Sequence, residues 1–132
     1  MADMNFQRGA FADVSEYLGG MPAVEGVVVA SMDGEVVAGT TQRDPRREAA
    51  LASFVASRAV ELAAGDGDLR GFGRHLAGST LLEVALGGRD GETVIVPASS
   101  GWMMLTLNPG AQRAAIVQEA RTALRRIMAA AA

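Results

Sequence analysis

The sequence predicts a mixed fold of three helices and five strands, in the order α-β-β-α-β-β-β-α. Apolar residues recur at helical spacing in three segments, and β-rich runs alternate with turn dipeptides between them. Of the 132 residues 49% are hydrophobic, which is enough to build one core. We therefore expect a single domain over residues 1–132, with its core over about 6–128.

A helix and a β-hairpin begin the chain. Apolar residues recur every three or four positions over residues 6–18, and the Gly-Gly pair at 19–20 ends this helix. Residues 24–32 and 35–40 are rich in valine and are joined by an Asp-Gly dipeptide at 33–34. Because Asp-Gly is well suited to a type I′ turn, we expect a hairpin closed by that turn.

The second helix begins at Asp44-Pro45, an N-cap followed by the residue type favoured at the first helical position. Residues 46–64 contain no helix breaker. One predicted stripe is apolar and consists of Leu51, Val55, Ala59 and Leu62. An adjoining face mixes small residues with one aromatic and consists of Ala50, Phe54, Ser57 and Glu61. Two such faces predict two neighbours for this helix.

Three strands and a last helix follow the glycine-rich segment 65–78, which we expect to be a flexible connection. The β-rich runs cover residues 80–86, 93–96 and 102–107, with turns at 87–91 and 99–101. The Asn-Pro-Gly segment at 108–110 then caps the last helix. Its predicted inward residues are Ile116, Ala120, Leu124 and Ile127, and its predicted outward residues are Arg121 and Arg125.

Central and edge strands can be told apart by their composition. Residues 27–32 and 102–107 are apolar at almost every position, which predicts central strands covered by helices on both faces. The run 36–39 is short, and the run 80–86 contains Glu83 in its middle, which predicts two edge strands. An edge as long as 80–86 has to be blunted or paired, and we expect pairing across a dimer.

Composition excludes several classes of function. The chain has no cysteine, which removes disulfides, thiolate metal sites and cysteine nucleophiles. It has no apolar run of the roughly 20 residues that a bilayer span requires, so we expect a cytoplasmic protein without membrane insertion. Its net charge is −3 and all twelve basic residues are arginine. Nucleic acid is therefore not an expected partner, and a phosphate loop built on lysine is impossible.

Candidate catalytic and ligand-binding motifs are incomplete. The Gly-Phe-Gly run at 71–73 lacks the third glycine and the preceding strand of a dinucleotide site, and the acidic run at 66–68 lacks the later ligands of a calcium loop. His75 is the only histidine, and Ser99 and Ser100 lack the frame of a serine nucleophile. The sequence therefore predicts no catalytic, cofactor or metal site and no enzyme.

Three arginines of the second helix, Arg46, Arg47 and Arg58, allow two interpretations. A solvated helix face is the default, since exposed charges on a helix need no special role. Arginine is also suited to bidentate recognition of carboxylate or phosphate at an interface. In that second interpretation the arginines dock a partner, or one of them acts as an arginine finger on a bound GTPase.

Two stretches resemble the roadblock family, named after a light chain of the dynein motor and including many bacterial members. Residues 21–34 read Met-Pro-Ala-Val-Glu-Gly-Val-Val-Val-Ala-Ser-Met-Asp-Gly, and an alanine-rich helix follows the Asp-Pro pair at 44–45. The resemblance covers residues 11–127. It implies a profilin-like three-layer sandwich around a five-stranded antiparallel sheet of order 2-1-5-4-3. The second helix would lie on one face, and the first and last helices on the other.

The resemblance also implies a homodimer, in which third strands join into one continuous sheet and second helices lie side by side. The residues that it places at the dimer interface are Ala50, Phe54, Ser57, Glu61, Thr80, Leu82, Val84 and Leu86. It further implies a small Ras-like GTPase as the partner, which the dimer would regulate, activate or scaffold in a bacterial signalling or polarity system. The docking residues would be Arg46, Arg47, Phe54 and Arg58.

Two other functions remain open at this point. The first is a purely structural oligomeric scaffold or adaptor, which would link larger proteins without influence on nucleotide chemistry. The second is a small-ligand sensor of profilin-like fold, which would require a sizeable polar-lined cavity. An enzyme would need turnover that depends on His75.

Overall fold

The computed structural model describes residues 7–63 and 81–131. The predicted segment 65–78, with His75, lies outside the described residues, as does Thr80. In the described ranges the predicted order of helices and strands is confirmed. The elements are α1 (Arg8–Gly19), β1 (Val24–Ser31), β2 (Val36–Thr40), α2 (Pro45–Ala63), β3 (Val84–Gly88), β4 (Gly91–Ala98), β5 (Gly101–Leu107) and α3 (Arg113–Ala131).

The five strands form one antiparallel sheet of order β2-β1-β5-β4-β3, as the roadblock resemblance implies. Side chains alternate between its two faces. Val29 and Leu105 lie on the face that α1 and α3 cover, whereas Val28 and Met104 lie on the face that α2 covers. The predicted central strands β1 and β5 are buried on both faces, so the three-layer architecture is confirmed.

The two faces of the sheet are packed by side chains of different size. Large side chains such as Phe11 and Leu124 fill the layer under α1 and α3. Under α2 the helix contributes small residues, which are Ala49, Ala52, Ser53 and Ala56. The sheet contributes the bulk there through Trp102 and Met104. Because the alanine face lies on the sheet, Leu51 of the predicted apolar stripe is 46% exposed, whereas Val55 of the same stripe packs against the core.

The turn between β1 and β2 differs from the predicted type I′ turn. Such a turn requires a positive φ at Asp33, but Ser99 is the only non-glycine residue of the described ranges with a positive φ. Instead the amide of Gly34, at φ +84°, donates to the carbonyl oxygen of Ser31 at 3.0 Å. The hydroxyl of Ser53 donates to the carbonyl oxygen of Met32 at 2.7 Å, which ties this turn to α2.

β3 is displaced from its predicted position at 80–86 to Val84–Gly88. The predicted five-residue turn at 87–91 is wrong, because Gly88 already pairs with Gly91 across a turn of two residues. Gly91 has φ +127° and lies so close to the carbonyl of Leu107 that a Cβ would collide with it. Gly87, Gly88 and Gly91 are therefore paired residues of the β3–β4 hairpin and not parts of a long loop.

The last helix buries its four predicted inward residues. Arg125 is exposed, as predicted, but Arg121 is only partly exposed. Its guanidinium donates to the carbonyl oxygen of Leu82 at 2.7 Å and pairs with the carboxylate of Glu83 at 3.3 Å. Arg121 thus fixes the segment that leads into β3. In the described part of the chain no helix is long and apolar enough to cross a membrane.

Candidate functional site

The edge of the sheet at β2 is covered by a side chain from α1. The guanidinium of Arg8 donates to the carbonyl oxygen of Val37 at 2.8 Å and lies 3.4 Å from that of Val36. A bulge in the β1–β2 register between Val29 and Ala30 further interrupts this short strand. Covering and bulging are two ways in which proteins prevent an edge from pairing with another chain.

The opposite edge, at β3, is not covered by any of the residues that the structure describes. Gly88 and Gly91 close a two-residue turn, so they bond to each other, and bonding to β4 then recurs at Leu86. The N–H and C=O groups of Ala85 and Gly87 consequently point away from β4. Within residues 7–63 and 81–131, no side chain donates to or accepts from the backbone of β3. This edge can therefore accept another strand.

An apolar groove runs between α2 and the β3–β4 hairpin, beside the open edge. Its volume is about 560 Å³, and its apolar lining consists of Leu51, Val55, Leu86, Ile95 and Met104. Leu86 is 53% exposed although it lies in the middle of β3. The segment before the strand adds Leu82, which is 64% exposed. We call Leu51, Phe54, Leu82 and Leu86 the α2–β3 surface, since all four are large and exposed.

Charged residues line one end of this groove. Arg43 pairs with Glu25 at 3.2 Å and lies 3.7 Å from Glu48, which ties the start of α2 to β1. The carboxylate of Asp44 accepts from the amide of Arg46 at 3.1 Å, so the predicted N-cap is confirmed. The side chains of Arg46 and of its neighbour Arg47 are exposed and form no ion pair with any described residue. Both guanidinium groups are available for an external partner.

Arg58 is engaged within α2. Its guanidinium lies 5.5 Å from the ring centre of Phe54, one turn earlier, and 3.3 Å from the carboxylate of Glu61, three residues later. Phe54 is 61% exposed. The three side chains form a cluster on the outer face of α2, and Arg58 would have to leave both neighbours to act on a bound partner.

The predicted interface residues differ in exposure and in how close they lie to one another. Phe54, Arg58 and Glu61 lie together, and the remaining α2 residues, Ala50 and Ser57, are exposed on the same helix. Leu82 and Leu86 are exposed, while Val84 is half-buried against the α2 side of the core. Sequence reasoning missed Leu51 as an exposed residue. The alanines at 49, 52 and 56 could have indicated this exposure, because a helix face of alanines can lie closer to a sheet than a face that contains leucine.

A second open groove, of about 660 Å³, lies between α1 and α3 on the other side of the molecule. Its lining includes the apolar residues Val14 and Ala123 and the charged residue Arg126. The hydroxyl of Tyr17 lies 3.4 Å from the carboxylate of Glu119 across the two helices. This groove is separated from the α2–β3 surface by the whole sheet.

No group of three histidine, aspartate or glutamate side chains in the described part of the chain is arranged to hold a metal ion. Ser99 and Ser100 form the turn between β4 and β5, where Ser99 has φ 53°. Ser99 and Ser100 therefore shape the turn between two strands. The chemistry available at the α2–β3 surface is that of protein recognition, through a strand edge, exposed apolar side chains and unpaired arginines.

Comparison with known proteins identifies the fold. No protein-family model and no curated protein matches the sequence. Among solved structures, the roadblock/LC7 domain from Streptomyces avermitilis has 18% identity, a TM-score of 0.72 and coverage of 89% of this chain and 93% of its own. Myxococcus xanthus MglB has 11% identity, a TM-score of 0.72 and coverage of 100% and 96%. The gliding protein MglB from Thermus thermophilus has 15% identity, a TM-score of 0.72 and coverage of 99% and 93%.

These likenesses confirm at the level of fold the resemblance that residues 21–34 carry. The chain has the roadblock fold, with the strand order that the resemblance implies.

Proposed function

We propose that this chain is a non-catalytic, cytoplasmic homodimer that docks a small Ras-like GTPase and regulates or scaffolds it in a bacterial signalling or polarity system. The observation that carries the proposal is the position of the one open sheet edge of the described ranges directly beside the exposed α2–β3 surface. A strand edge and an apolar groove side by side are suited to a second copy of the chain, and unpaired arginines next to them are suited to an acidic or phosphorylated partner surface.

Dimerisation through β3 would satisfy the backbone groups of Ala85 and Gly87. It would also remove Leu86 and Leu51 from water, at about 25 cal/mol for each Å² of apolar surface buried. The outer faces of the two α2 helices would then lie next to each other, with Phe54 and Glu61 near the junction. An open edge beside exposed leucines is a predicted aggregation site in a monomer, so pairing also explains why the edge is tolerated.

Docking of a GTPase is supported by the charge at the start of α2. Two copies would contribute four unpaired arginines, Arg46 and Arg47 from each, to one continuous surface. Ras-like GTPases expose phosphate-binding and switch segments, to which arginine can donate in a bidentate manner. One of the similar solved structures is described as a gliding protein, which favours a polarity or motility setting.

The test is a measurement of mass by light scattering, together with binding to the Ras-like GTPases of the same genome loaded with GDP or a GTP analogue. We expect a dimer that prefers one nucleotide state. The variant Arg46→Ala/Arg47→Ala should weaken binding at least about tenfold without a change in mass, because charge-assisted hydrogen bonds at an interface are lost. Arg125→Ala, on the exposed side of α3, is the matched control and should bind normally. A dimer that binds no GTPase in either state would contradict the docking half of the proposal.

The alternative of a purely structural scaffold is favoured by one observation, the groove between α1 and α3. That groove and the α2–β3 surface lie on opposite faces of the sheet, so two proteins could be held at once. A scaffold would bind its partners equally in both nucleotide states. Both grooves are open to solvent, whereas small-ligand sites enclose most of the ligand, which does not favour the third possibility of a small-ligand sensor.

A further inference from the structure

We propose that two copies of β3 pair with Leu86 on the two-fold axis, so that Ala85 lies opposite Gly87 of the second copy. This register rests on the homodimer proposed above and makes it specific to single residues. It follows from the length of the strand, from what limits its two ends, from its hydrogen-bonding pattern and from its charges.

The length of β3 favours Leu86 as the centre. The strand covers five residues, Val84–Gly88, and Leu86 is its midpoint. An antiparallel pair that is centred on the midpoint uses all five residues of both copies. If the centre moved by one residue, to Ala85 or Gly87, only three residues of each strand would remain paired. The shift would leave the outward N–H and C=O groups of one residue in each copy, Gly87 or Ala85, without a partner on the other strand.

Both ends of the strand are closed to extension. On the N-terminal side residues 81–83 are not part of the strand, and the donation from Arg121 to the carbonyl oxygen of Leu82 at 2.7 Å holds this segment toward α3. On the C-terminal side Arg89 and Asp90 reverse the chain into β4. A shifted register therefore cannot recover its lost pairs by lengthening β3 at either end.

The hydrogen-bonding pattern agrees with this centre. Ala85 and Gly87 carry the backbone groups that point away from β4, and in the proposed register each of them faces the other across the axis. Leu86 then faces Leu86 of the second copy as a non-hydrogen-bonded pair, in which the Cα atoms are only about 4.5 Å apart. Such pairs bring side chains closest together. Two half-exposed leucines on the α2 side of the sheet would thus bury each other beside Leu51.

Charge provides a further argument. The register brings Glu83 opposite Arg89 of the second copy, twice in each dimer. Arg89 forms no ion pair with a described residue. Glu83 pairs with Arg121 through one carboxylate oxygen, Oε1, which leaves the other oxygen for a second arginine. Opposite charges directly across from each other stabilise a strand pair, whereas like charges destabilise it.

Disulfide trapping tests the register, because the chain contains no cysteine and each engineered thiol is therefore unique. Single variants Val84→Cys, Ala85→Cys, Leu86→Cys, Gly87→Cys and Gly88→Cys are oxidised mildly, and the fraction of covalent dimer is measured. A symmetric disulfide requires that the residue lie on the axis, since Cα atoms must approach to about 4.4–6.8 Å. We expect Leu86→Cys to cross-link most completely, with at least several-fold less dimer from the other four.

A second experiment uses a mixture of Ala85→Cys and Gly87→Cys chains. Both sites are exposed, and a Cβ at position 87 meets no atom within 4 Å, so neither variant should disturb the fold. The mixture should form mixed covalent dimers in preference to either symmetric one. The mass of the unmodified chain separates the two levels of the proposal. If it is dimeric but cross-links best at 84, 85, 87 or 88, this register is wrong and the homodimer stands. A monomeric chain would overturn both.

Discussion

The two outer strands of the sheet differ in how their edges are treated. At β2 the guanidinium of Arg8 caps outward carbonyl groups and a bulge interrupts the ladder, so that edge is closed within the chain. At β3 no comparable device is found among the described residues, and exposed leucines accompany the strand. A protein that closes one edge and leaves the other open has one direction in which its sheet can continue. The difference supports the proposal that a second copy binds at β3.

The largest effect is expected from a charge on the proposed axis. Leu86→Asp would place two carboxylates opposite each other, and juxtaposed like charges cost several kcal/mol, so dimer affinity should fall by at least about a hundredfold. Sedimentation equilibrium measures the loss. Met128→Asp is the matched control, since Met128 is 49% exposed on α3 and Leu86 is 53% exposed. If both variants stay dimeric, the open edge is not the interface.

The closed edge can be opened in turn. Arg8→Ala removes the donor to the carbonyl oxygen of Val37, and a hydrogen bond from a charged group contributes about 1.5–3 kcal/mol. We expect lower stability in urea and, in addition, assemblies larger than a dimer, because β2 could then pair as well. Light scattering detects them. Arg125→Ala should cause neither change, and an Arg8→Ala chain that stays a dimer at all concentrations would contradict the role given to Arg8.

A smaller effect is expected from a change at the segment that precedes β3. Arg121→Gln shortens the side chain that donates to Leu82 and pairs with Glu83. Partial exposure screens the ion pair, so we expect about 1 kcal/mol of lost stability. Dimer affinity should also fall, because the residues before β3 would no longer be held. The comparison is with Arg125→Gln, and equal dimer affinities of the two variants would show that Arg121 does not position the edge.

The smallest effect separates stability from association. Ser99 holds φ 53° in the turn between β4 and β5, remote from the interface proposed at β3. Glycine adopts such a conformation without steric cost, so Ser99→Gly should raise the free energy of unfolding by about 0.5–1 kcal/mol, as measured in urea. Ser100→Gly, at a residue without positive φ, should lower it slightly. Neither variant should alter dimer affinity, and a change there would mean that global stability, and not the edge, controls association.

The order of elements and the central strands were predictable from the sequence, because apolar runs at β1 and β5 and helical spacing in α1, α2 and α3 depend on local pattern. The strand order came from the family resemblance. The burial of the alanine face of α2 against the sheet was not predictable from hydrophobicity alone. Ala52 and Ala56 are weak apolar signals beside Leu51, and the bulk that fills the space comes from Trp102, far along the chain from this helix.

The details of the site depended on long-range contacts in the same way. The segment before β3 is held by Arg121, which donates to the carbonyl oxygen of Leu82 from 39 residues away. The capping of β2 is set by Arg8, 29 residues before Val37. Neither contact could be predicted from hydrophobic periodicity, because each joins residues that are far apart in the sequence. Arg46, Arg47 and Phe54 were predicted as docking residues and are exposed, and their role stays a prediction.

Amide hydrogen exchange at Ala85 and Gly87 tests the central claim most directly. In a monomer these two N–H groups face solvent and exchange freely, whereas in the proposed dimer they bond to the second copy. We predict that both amides become protected as protein concentration rises through the dimer dissociation constant, in parallel with the mass. Fast exchange of both amides in a sample whose mass is that of a dimer would contradict the assignment of the β3 edge as the interface.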